Sequence, residues 1–265
     1  MGRFYYSVVS ALRPFSFRGK GRLLSFIVPR RGHESIEING VIYEDLDLSE
    51  HVQWHVYCGL YEVEETRLLR AYLKPGMNIV DVGANIGYYT ALGAPFVGPS
   101  GRVVAFEPSP YAYQRLQRLV ARNQFTNVTT LQIALSDRNG QAELSLPKDA
   151  TNHSPTMLPI ANSVSLFVEV KTLDEIALEL RLESIDLLKL DVEGLEPKVL
   201  GGARRLLAAG RIKGVLCEFN RYWLECAGTT PEALRNVLLH YGLDDGMSGP
   251  PLTPLETRLF LLRRC

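Results

Sequence analysis

Two acidic side chains, each beside a short apolar run, are the residues of this sequence best suited to binding chemistry. Asp81 lies in the apolar run 79–82, just before the glycine-containing turn 83–87. Glu107 follows the next apolar run, 103–106, and lies 24 residues after that turn begins. A turn between a buried strand and a helix points backbone N–H groups and a helix N-terminus at a ligand. An acid at this distance suits two ribose hydroxyls, so the pattern predicts a nucleoside site.

The turn itself indicates which nucleoside is bound. The dinucleotide fingerprint has three glycines, whereas Gly83-Ala84-Asn85-Ile86-Gly87 lacks the middle one. The acid two residues earlier would repel a pyrophosphate, because like charges repel, but it suits a ligand that carries an ammonium or a sulfonium. This difference favours S-adenosylmethionine (SAM) over NAD. An NAD(P)-linked oxidoreductase remains the alternative, and a purely structural strand–turn–helix unit has the same pattern.

Several motifs, in a fixed order, resemble the FkbM family of SAM-dependent methyltransferases. In chain order they are Gly59-Leu60-Tyr61-Glu62, Asp81-Val82-Gly83-Ala84-Asn85-Ile86-Gly87-Tyr88-Tyr89, Ala105-Phe106-Glu107-Pro108, Ala134-Leu135-Ser136-Asp137, Lys171-Thr172-Leu173-Asp174 and Leu188-Lys189-Leu190-Asp191-Val192-Glu193-Gly194. The resemblance covers roughly residues 55–220. It implies SAM as cofactor and a class I (Rossmann-like) methyltransferase fold.

Carried over position by position, the resemblance also implies which residues bind SAM. Asp81 and the turn 83–87 are expected at the methionine half, and Glu107 at the ribose hydroxyls. Ser136 and Asp137 are expected at the adenine edge, although Asp137 can equally cap the turn that follows it. The full implied set is Glu62, Asp81, Gly83, Ala84, Asn85, Gly87, Tyr88, Glu107, Pro108, Ser136, Asp137 and Asp191.

Four side chains are candidates for the catalytic base that a hydroxyl acceptor needs: Asp191, Glu193, Glu218 and His153. Asp191 ends an apolar run and is expected either to hold the SAM amino group or to act as the base. His153 lies in a proline-rich stretch, 147–164, that is typical of a substrate-binding loop, although a solvated histidine is the alternative. No metal is expected; the one option is Mg²⁺ bound by the oxygens of Asp191, Glu218 and Asn220.

The elements that must position these residues alternate along the chain. Apolar runs at 79–82, 103–106, 131–135, 185–190 and 215–219 are typical of buried parallel strands, and helix signals separate them. This alternation predicts an α/β fold with a doubly wound, mostly parallel sheet. Together with the resemblance, it predicts the seven-stranded sheet of class I methyltransferases.

The chain is expected to divide near residue 74. Residues 75–265 are predicted to form the SAM-binding methyltransferase domain. Residues 1–74 are predicted to be an N-terminal extension with a basic arm, a small hairpin and a helix over 63–73. The arm, residues 3–31, has Lys and Arg but no Asp or Glu, interleaved with aromatic and aliphatic residues. It suits a membrane surface or an anionic substrate, but a helix packed on the main domain is the alternative.

Composition narrows the remaining functions. The 29 basic residues balance the 29 acidic ones, so bulk charge indicates no nucleic-acid partner and weighs against a non-catalytic nucleic-acid-binding module. The four cysteines have no paired spacing, and we find no signal peptide or membrane span, so a reducing, cytoplasmic location is expected. From the family resemblance we expect O-methylation of a small-molecule, sugar or glycan hydroxyl, with N-methylation as the alternative. The sequence does not indicate the oligomeric state.

Overall fold

The computed structural model describes residues 2–13, 15, 17–147, 155–160, 162–247, 249 and 253–263. Within them the helices are α1 (Gly2–Leu12), α2 (Lys20–Ile27), α3 (His51–Cys58), α4 (Val63–Tyr72), α5 (Tyr88–Val97), α6 (Pro110–Arg122), α7 (Leu173–Glu179), α8 (Glu196–Gly201), α9 (Arg204–Ala208), α10 (Arg221–Cys226) and α11 (Pro231–His240). The strands are β1 (His33–Ile38), β2 (Val41–Asp47), β3 (Asn78–Val82), β4 (Arg102–Phe106), β5 (Val128–Leu131), β6 (Ala134–Leu135), β7 (Gly140–Pro147), β8 (Ser163–Lys171), β9 (Leu187–Leu190), β10 (Gly214–Asn220), β11 (Leu243–Asp244) and β12 (Leu255–Leu262).

The central sheet has seven strands in the order β5-β4-β3-β9-β10-β12-β11. The pairs from β5 to β10 are parallel, and β12 is antiparallel to both of its neighbours. Successive residues of a strand point to opposite faces, so Val80 and Val82 pack in one core while Ile79 packs in the other. Both faces are therefore covered, and the predicted doubly wound, mostly parallel seven-stranded sheet is confirmed.

The predicted third strand, 131–135, is wrong in its position. The strand that joins the central sheet is β5, and the chain then leaves that sheet. Residues of β6 pair instead with β8, in a separate three-stranded sheet of order β6-β8-β7. A strand at the edge of a sheet buries less surface than an inner strand, and every residue of β5 is only half-buried. Its sequence, Val-Thr-Thr-Leu, consequently lacks the apolar run that marks the inner strands.

The N-terminal extension contains the predicted hairpin, formed by β1 and β2, and the predicted helix, α4. Its core includes Val9, Leu24 and Trp54, and it continues into Ile86 and Leu119 of the adjoining part of the chain. The two parts thus share one apolar cluster, and the division near residue 74 stays a prediction. No helix within the described ranges has the length and apolar character that crossing a bilayer requires.

Candidate functional site

A cavity of about 640 Å³, open to solvent, lies at the carboxyl ends of β3, β4 and β9. We call it the first cavity. Its polar lining comes from Asn85, Glu107, Thr156, Asp191 and Glu193. In an open α/β sheet the carboxyl edge of the strands is where ligands bind, because the strand-to-helix loops converge there. The glycine turn and Glu107 therefore lie at the carboxyl edge of the sheet, as the sequence predicts.

The turn after β3 requires glycine at its first position. Gly83 has φ +76°, and a Cβ atom built on it would lie 1.9 Å from the backbone oxygen of Asp191. The amides of Gly83 and Ala84 both donate to the carbonyl of Phe106, at 3.0 and 2.9 Å. The turn is thereby tied to the ends of both β4 and β9. No side chain fits between the turn and β9, so the backbone itself forms this wall of the first cavity.

Glu107 is held on the cavity wall by two backbone amides. Its Oε2 accepts from Asn85 N and its Oε1 accepts from Ser109 N, both at 2.8 Å. Burial raises the pKa of Glu107 to about 7, although these two hydrogen bonds favour the ionised form. Each carboxylate oxygen retains further acceptor capacity, which suits a vicinal diol. The predicted ribose acceptor is thus a preorganised group on the cavity surface.

Asp81 lies deeper than the sequence suggests. Its side chain is fully buried; Oδ2 accepts from Thr90 Oγ1 at 2.7 Å, and Oδ1 is 3.7 Å from Lys189 Nζ. Asp81 pairs with Ala105 and Lys189 in the sheet register, within the strand rather than beyond its end. Burial raises the pKa of Asp81, while the Lys189 charge opposes that shift. A direct contact with a ligand is therefore not available to Asp81 here, and its influence passes through Lys189.

Lys189 is the buried cation around which the acidic residues of the site gather. Its Nζ donates to Gly83 O at 3.0 Å and to Asp191 Oδ2 at 3.2 Å. Burial lowers the pKa of Lys189, but the neighbouring carboxylates Asp191, Asp81 and Glu62 outweigh burial and raise it overall. Lys189 is therefore a charged ammonium that links the glycine turn to Asp191. The sequence interpretation gave this residue no role, although its place two residues before Asp191 was a signal.

Beside Asp191, a small cavity that opens to solvent, here called the inner cavity, is lined by Glu62, Tyr89, Lys189, Asp191 and Glu218. Burial, followed by the charge of Asp191, raises the pKa of Glu62 to about 7, and the Tyr89 hydroxyl donates to its carboxylate. Burial also raises the pKa of Glu218 well above its ordinary value, reinforced by the charge of Asp191. The Oε2 of Glu218 is buried without a hydrogen-bond partner among the described residues. Three carboxyl groups, two of them with raised pKa values, thus gather around Lys189 at the inner cavity.

The optional Mg²⁺ ligands do not converge. Asp191 and Glu218 line the inner cavity, whereas Asn220 lines a different cavity described below. The cation that the structure does place beside Asp191 is the ammonium of Lys189. Within the described part of the chain, no three His, Cys, Asp or Glu side chains are grouped so that they could hold a metal ion.

A second cavity, of about 1530 Å³ and open to solvent, adjoins the first. Asn85 and Glu193 line both cavities. Glu193 has φ +52°, so the turn after β9 has a left-handed residue at this position. Glu196 fixes that turn, because its Oε1 accepts from Val192 N and Gly194 N at 3.0 and 3.3 Å.

His51 is the residue of the second cavity that sequence reasoning missed. It begins α3 and lines the cavity. Its ring lies 4.1 Å from the ring of His55, centroid to centroid. Burial lowers the pKa of His51, and the nearby His55 and Arg30 add to that shift. The only sequence signal was an acid–histidine pair, Glu50 and His51, at a helix start.

Several implied SAM-binding residues lie away from the first cavity. Among the described residues, Ala84, Gly87, Tyr88, Ser136 and Asp137 line neither cavity. The Tyr88 hydroxyl is hydrogen-bonded to Thr66 Oγ1 at 2.8 Å, and Gly87 faces Leu116 and Leu119 of α6.

Ser136 lies beyond the cavity because the chain leaves the sheet at β6, which places Ile133, Ala134 and Leu135 on the cavity wall instead. Pro108 does line the first cavity. His153 lies outside the described residues, but Pro155 of the same predicted loop lines both cavities.

The chain is similar to known methyltransferases. The model of the methyltransferase FkbM domain matches residues 81–243. Methyltransferase sdnD of Sordaria araneosa is 33% identical over 155 residues, which cover 47% of this chain and 59% of that protein. 2-O-methyltransferase NoeI of Sinorhizobium fredii is 28% identical over 153 residues, which cover 52% of this chain and 62% of that protein. The chain thus spans about three fifths of the length of these relatives.

A solved structure of methyltransferase FkbM from Methylobacillus flagellatus is similar over 79% of this chain and 52% of its own, at 18% identity and a TM-score of 0.48. The match to the family model spans more than half of the chain and includes the glycine turn, Glu107, Lys189 and Asp191. It favours the methyltransferase prediction over the oxidoreductase alternative. The chain belongs to the FkbM family of methyltransferases, whose cofactor is SAM.

Proposed function

We propose that this chain transfers the methyl group of SAM to a hydroxyl oxygen of a sugar-like or secondary-metabolite acceptor. The observation that carries the proposal is the junction of the two cavities at Asn85 and Glu193. The first cavity has the features of a nucleoside site, and the second is a larger space lined by both polar and apolar side chains. Two substrates bound on either side of Glu193 would meet there, and holding two reactants in register supplies much of the acceleration for methyl transfer.

The residues of the first cavity fit SAM. Glu107 presents a carboxylate, held by two amides, to the ribose diol. The close approach of Gly83 to Asp191 keeps this wall of the cavity free of side chains, so that backbone atoms would face the methionine half. Asp191, tied to Lys189 at 3.2 Å, offers an acceptor for the α-ammonium group. When bound, SAM supplies an electrophilic methyl group on a positively charged sulfur.

The lining of the second cavity supports a hydroxylated acceptor. Aspartate, glutamate, histidine and asparagine side chains alternate there with the rings of Tyr111 and Trp223. Sugars present hydroxyls at their edges and C–H groups on their faces, so they match hydrogen-bonding groups beside aromatic rings. The similarity to a protein named 2-O-methyltransferase adds support for oxygen as the acceptor atom.

An amine is the second candidate acceptor, because Asp47, Glu50 and Glu193 make this cavity acidic. Carboxylates attract an ammonium group, which must lose its proton before it can accept a methyl group. Incubation with SAM and a panel of hydroxylated and amino compounds, followed by NMR of the product, separates the candidates. An O-methyl resonance supports the proposal, an N-methyl resonance replaces it with the second candidate, and absence of any methylated product contradicts both.

Glu193 is the carboxylate best placed to accept the acceptor proton, because among the candidate bases that the structure describes it alone lines both cavities. We expect Glu193→Gln to lower kcat by roughly 100- to 10,000-fold, the usual contribution of a general base. The affinity for S-adenosylhomocysteine should change by less than about threefold, because Gln keeps the volume of the side chain and the mutation spares Glu107. Single-turnover rates and calorimetry measure the two quantities separately.

His51→Gln is the matched control for Glu193→Gln, since His51 lines only the second cavity. We expect it to affect acceptor KM more than kcat. If His51→Gln removes kcat while Glu193→Gln does not, the base is His51 and the assignment to Glu193 is wrong. Equal losses of cofactor affinity and kcat in Glu193→Gln would assign that residue to cofactor binding instead.

Glu107 should make cofactor binding pH-dependent. With a pKa of about 7 in the cofactor-free protein, its ionised fraction rises about tenfold between pH 6 and pH 8, and only the carboxylate accepts from both ribose hydroxyls. The affinity for S-adenosylhomocysteine should therefore rise about tenfold over this range. Glu107→Gln should lower affinity at pH 8 by about tenfold or more and flatten this dependence.

Stability should respond to Glu107 with the opposite sign. Its raised pKa means that the folded protein binds this proton more tightly than the unfolded chain does. The stabilisation is complete below about pH 4.5 and is lost as pH rises through about 7. Chemical unfolding of the cofactor-free protein at pH 6 and pH 8 should show a shallower pH dependence in Glu107→Gln. If the affinity for S-adenosylhomocysteine shows the same pH dependence in the wild type and in Glu107→Gln, Glu107 does not bind the ribose.

A further inference from the structure

We propose that the outer face of α2 and the residues just before it bind an anionic lipid surface. We call this surface the basic aromatic face; it consists of Phe15, Phe17, Arg18, Arg22, Leu23 and Phe26, all exposed. The proposal is independent of the methyl-transfer chemistry, since these residues line neither the first nor the second cavity.

Exposed apolar side chains are concentrated at this end of the chain. Of the 17 large apolar side chains exposed in the described ranges, six lie between residues 4 and 26. Phe26 is 80% exposed and Phe15 is 62% exposed. Scattered exposed apolar residues need no explanation, but four of these six lie within residues 15–26, on α2 and just before it, and such a concentration indicates a binding surface.

The inner side of α2 is fixed, which determines which side chains face outward. Leu24 and Val28 are fully buried in the apolar cluster of the N-terminal extension, and Trp54 Nε1 donates to Val28 O at 3.4 Å. At 100° per residue, Arg22 and Phe26 then lie on the opposite side of the helix from Leu24. The inner side of α2 thus packs on the rest of the protein, which was the alternative prediction for this segment. The aromatic and basic groups on its outer side stay exposed.

Charge selects the partner. Residues 3–31 contain no Asp or Glu, and Arg30 and Arg31, both exposed, extend the positive charge beyond Arg18 and Arg22. A second copy of this chain that docked through the same face would bring like charges together and be repelled. An anionic bilayer accepts both features, because arginines pair with phosphate headgroups while Phe and Leu enter the headgroup–acyl boundary.

The test is co-sedimentation of the full chain with vesicles of phosphatidylcholine alone and of phosphatidylcholine mixed with phosphatidylglycerol. We expect binding to the anionic vesicles only, and binding that weakens as NaCl is added, because salt screens charge. Equal binding to both vesicles, or no binding to either, overturns the proposal without any variant. Failure here leaves the proposed methyl transfer untouched, since that is measured with soluble acceptors.

Two double variants separate charge from apolar contact. Arg18→Glu/Arg22→Glu should lower partitioning onto anionic vesicles by at least about tenfold, since each basic residue near such a surface contributes about fivefold. Leu23→Ser/Phe26→Ser should lower it by about tenfold through lost apolar burial. The matched controls, Arg204→Glu/Arg211→Glu and Phe167→Ser/Leu178→Ser, change equally exposed residues elsewhere and should have little effect.

Other outcomes of the variants reassign the surface. Controls that weaken binding as much as the test variants do would show that the interaction is nonspecific, and they overturn the proposal. Nucleic acid would be the partner if duplex RNA displaces the protein from vesicles and if only the charge variant binds RNA more weakly. In that case Arg18→Glu/Arg22→Glu lowers the affinity for RNA and Leu23→Ser/Phe26→Ser does not. Melting temperatures close to wild type establish that each variant is folded.

Discussion

Gly83→Ala is expected to destabilise the protein by about 3 kcal/mol or more and to abolish binding of S-adenosylhomocysteine. The added Cβ would lie 1.9 Å from the backbone oxygen of Asp191, so β9 or the turn must move. Backbone atoms cannot rotate away as a flexible side chain can. The residue would also have to keep φ +76°, which L-amino acids other than glycine disfavour. Urea unfolding and calorimetry measure the two effects.

Gly98→Ala is the matched control for this substitution. Gly98 also has positive φ, +65°, but a Cβ there would meet nothing within 4 Å. It therefore carries a conformational cost alone, about 1–3 kcal/mol, and should leave cofactor affinity unchanged. If Gly83→Ala costs no more stability than Gly98→Ala, the turn has room to relax. The close approach of the turn to β9 would then not be the reason that glycine is needed.

Lys189→Met is expected to destabilise the protein by about 3–5 kcal/mol, because it leaves buried carboxylate charge without its counter-ion. Asp81 would lose the ammonium at 3.7 Å and Asp191 the one at 3.2 Å. Asp81 is fully buried, so water cannot compensate for the loss. The loss should be smaller at low pH, where protonation of Asp81 removes its charge. Urea unfolding at pH 5 and pH 8 measures it.

Two control variants show whether lost charge pairing causes the lower stability of Lys189→Met. The double variant Lys189→Met/Asp81→Asn removes both partners of the buried pair and should recover part of the stability. Lys171→Met breaks an exposed ion pair with Glu179, at 2.8 Å, and should change stability little, since exposed pairs are weak. A double variant no more stable than Lys189→Met would show that lost packing, not uncompensated charge, is the cause.

Local sequence was sufficient for the inner strands and the glycine turn. The apolar runs of β3, β4 and β10 have the continuous hydrophobicity that a strand buried on both faces needs, and such a run has few other stable conformations. Glu107 was placed correctly as well, because the residue after a parallel strand reaches the carboxyl edge of the sheet whatever its neighbours are. These features depend on residues close together in the chain.

Contacts between distant residues decided the rest. Whether Asp81 reaches a ligand depends on the register that sets it opposite Lys189, 108 residues away in sequence. The position of Ser136 depends on the chain leaving the central sheet for β8. The position of His51 at a cavity depends on α3 lying beside residues of β2, α6, β7 and α10. Pairing and packing of this kind are set by the whole core. The sequence alone therefore determined the family, the sheet and the position of Glu107 at its carboxyl edge. Only the tertiary structure decided which acids are buried around Lys189 and which line both cavities.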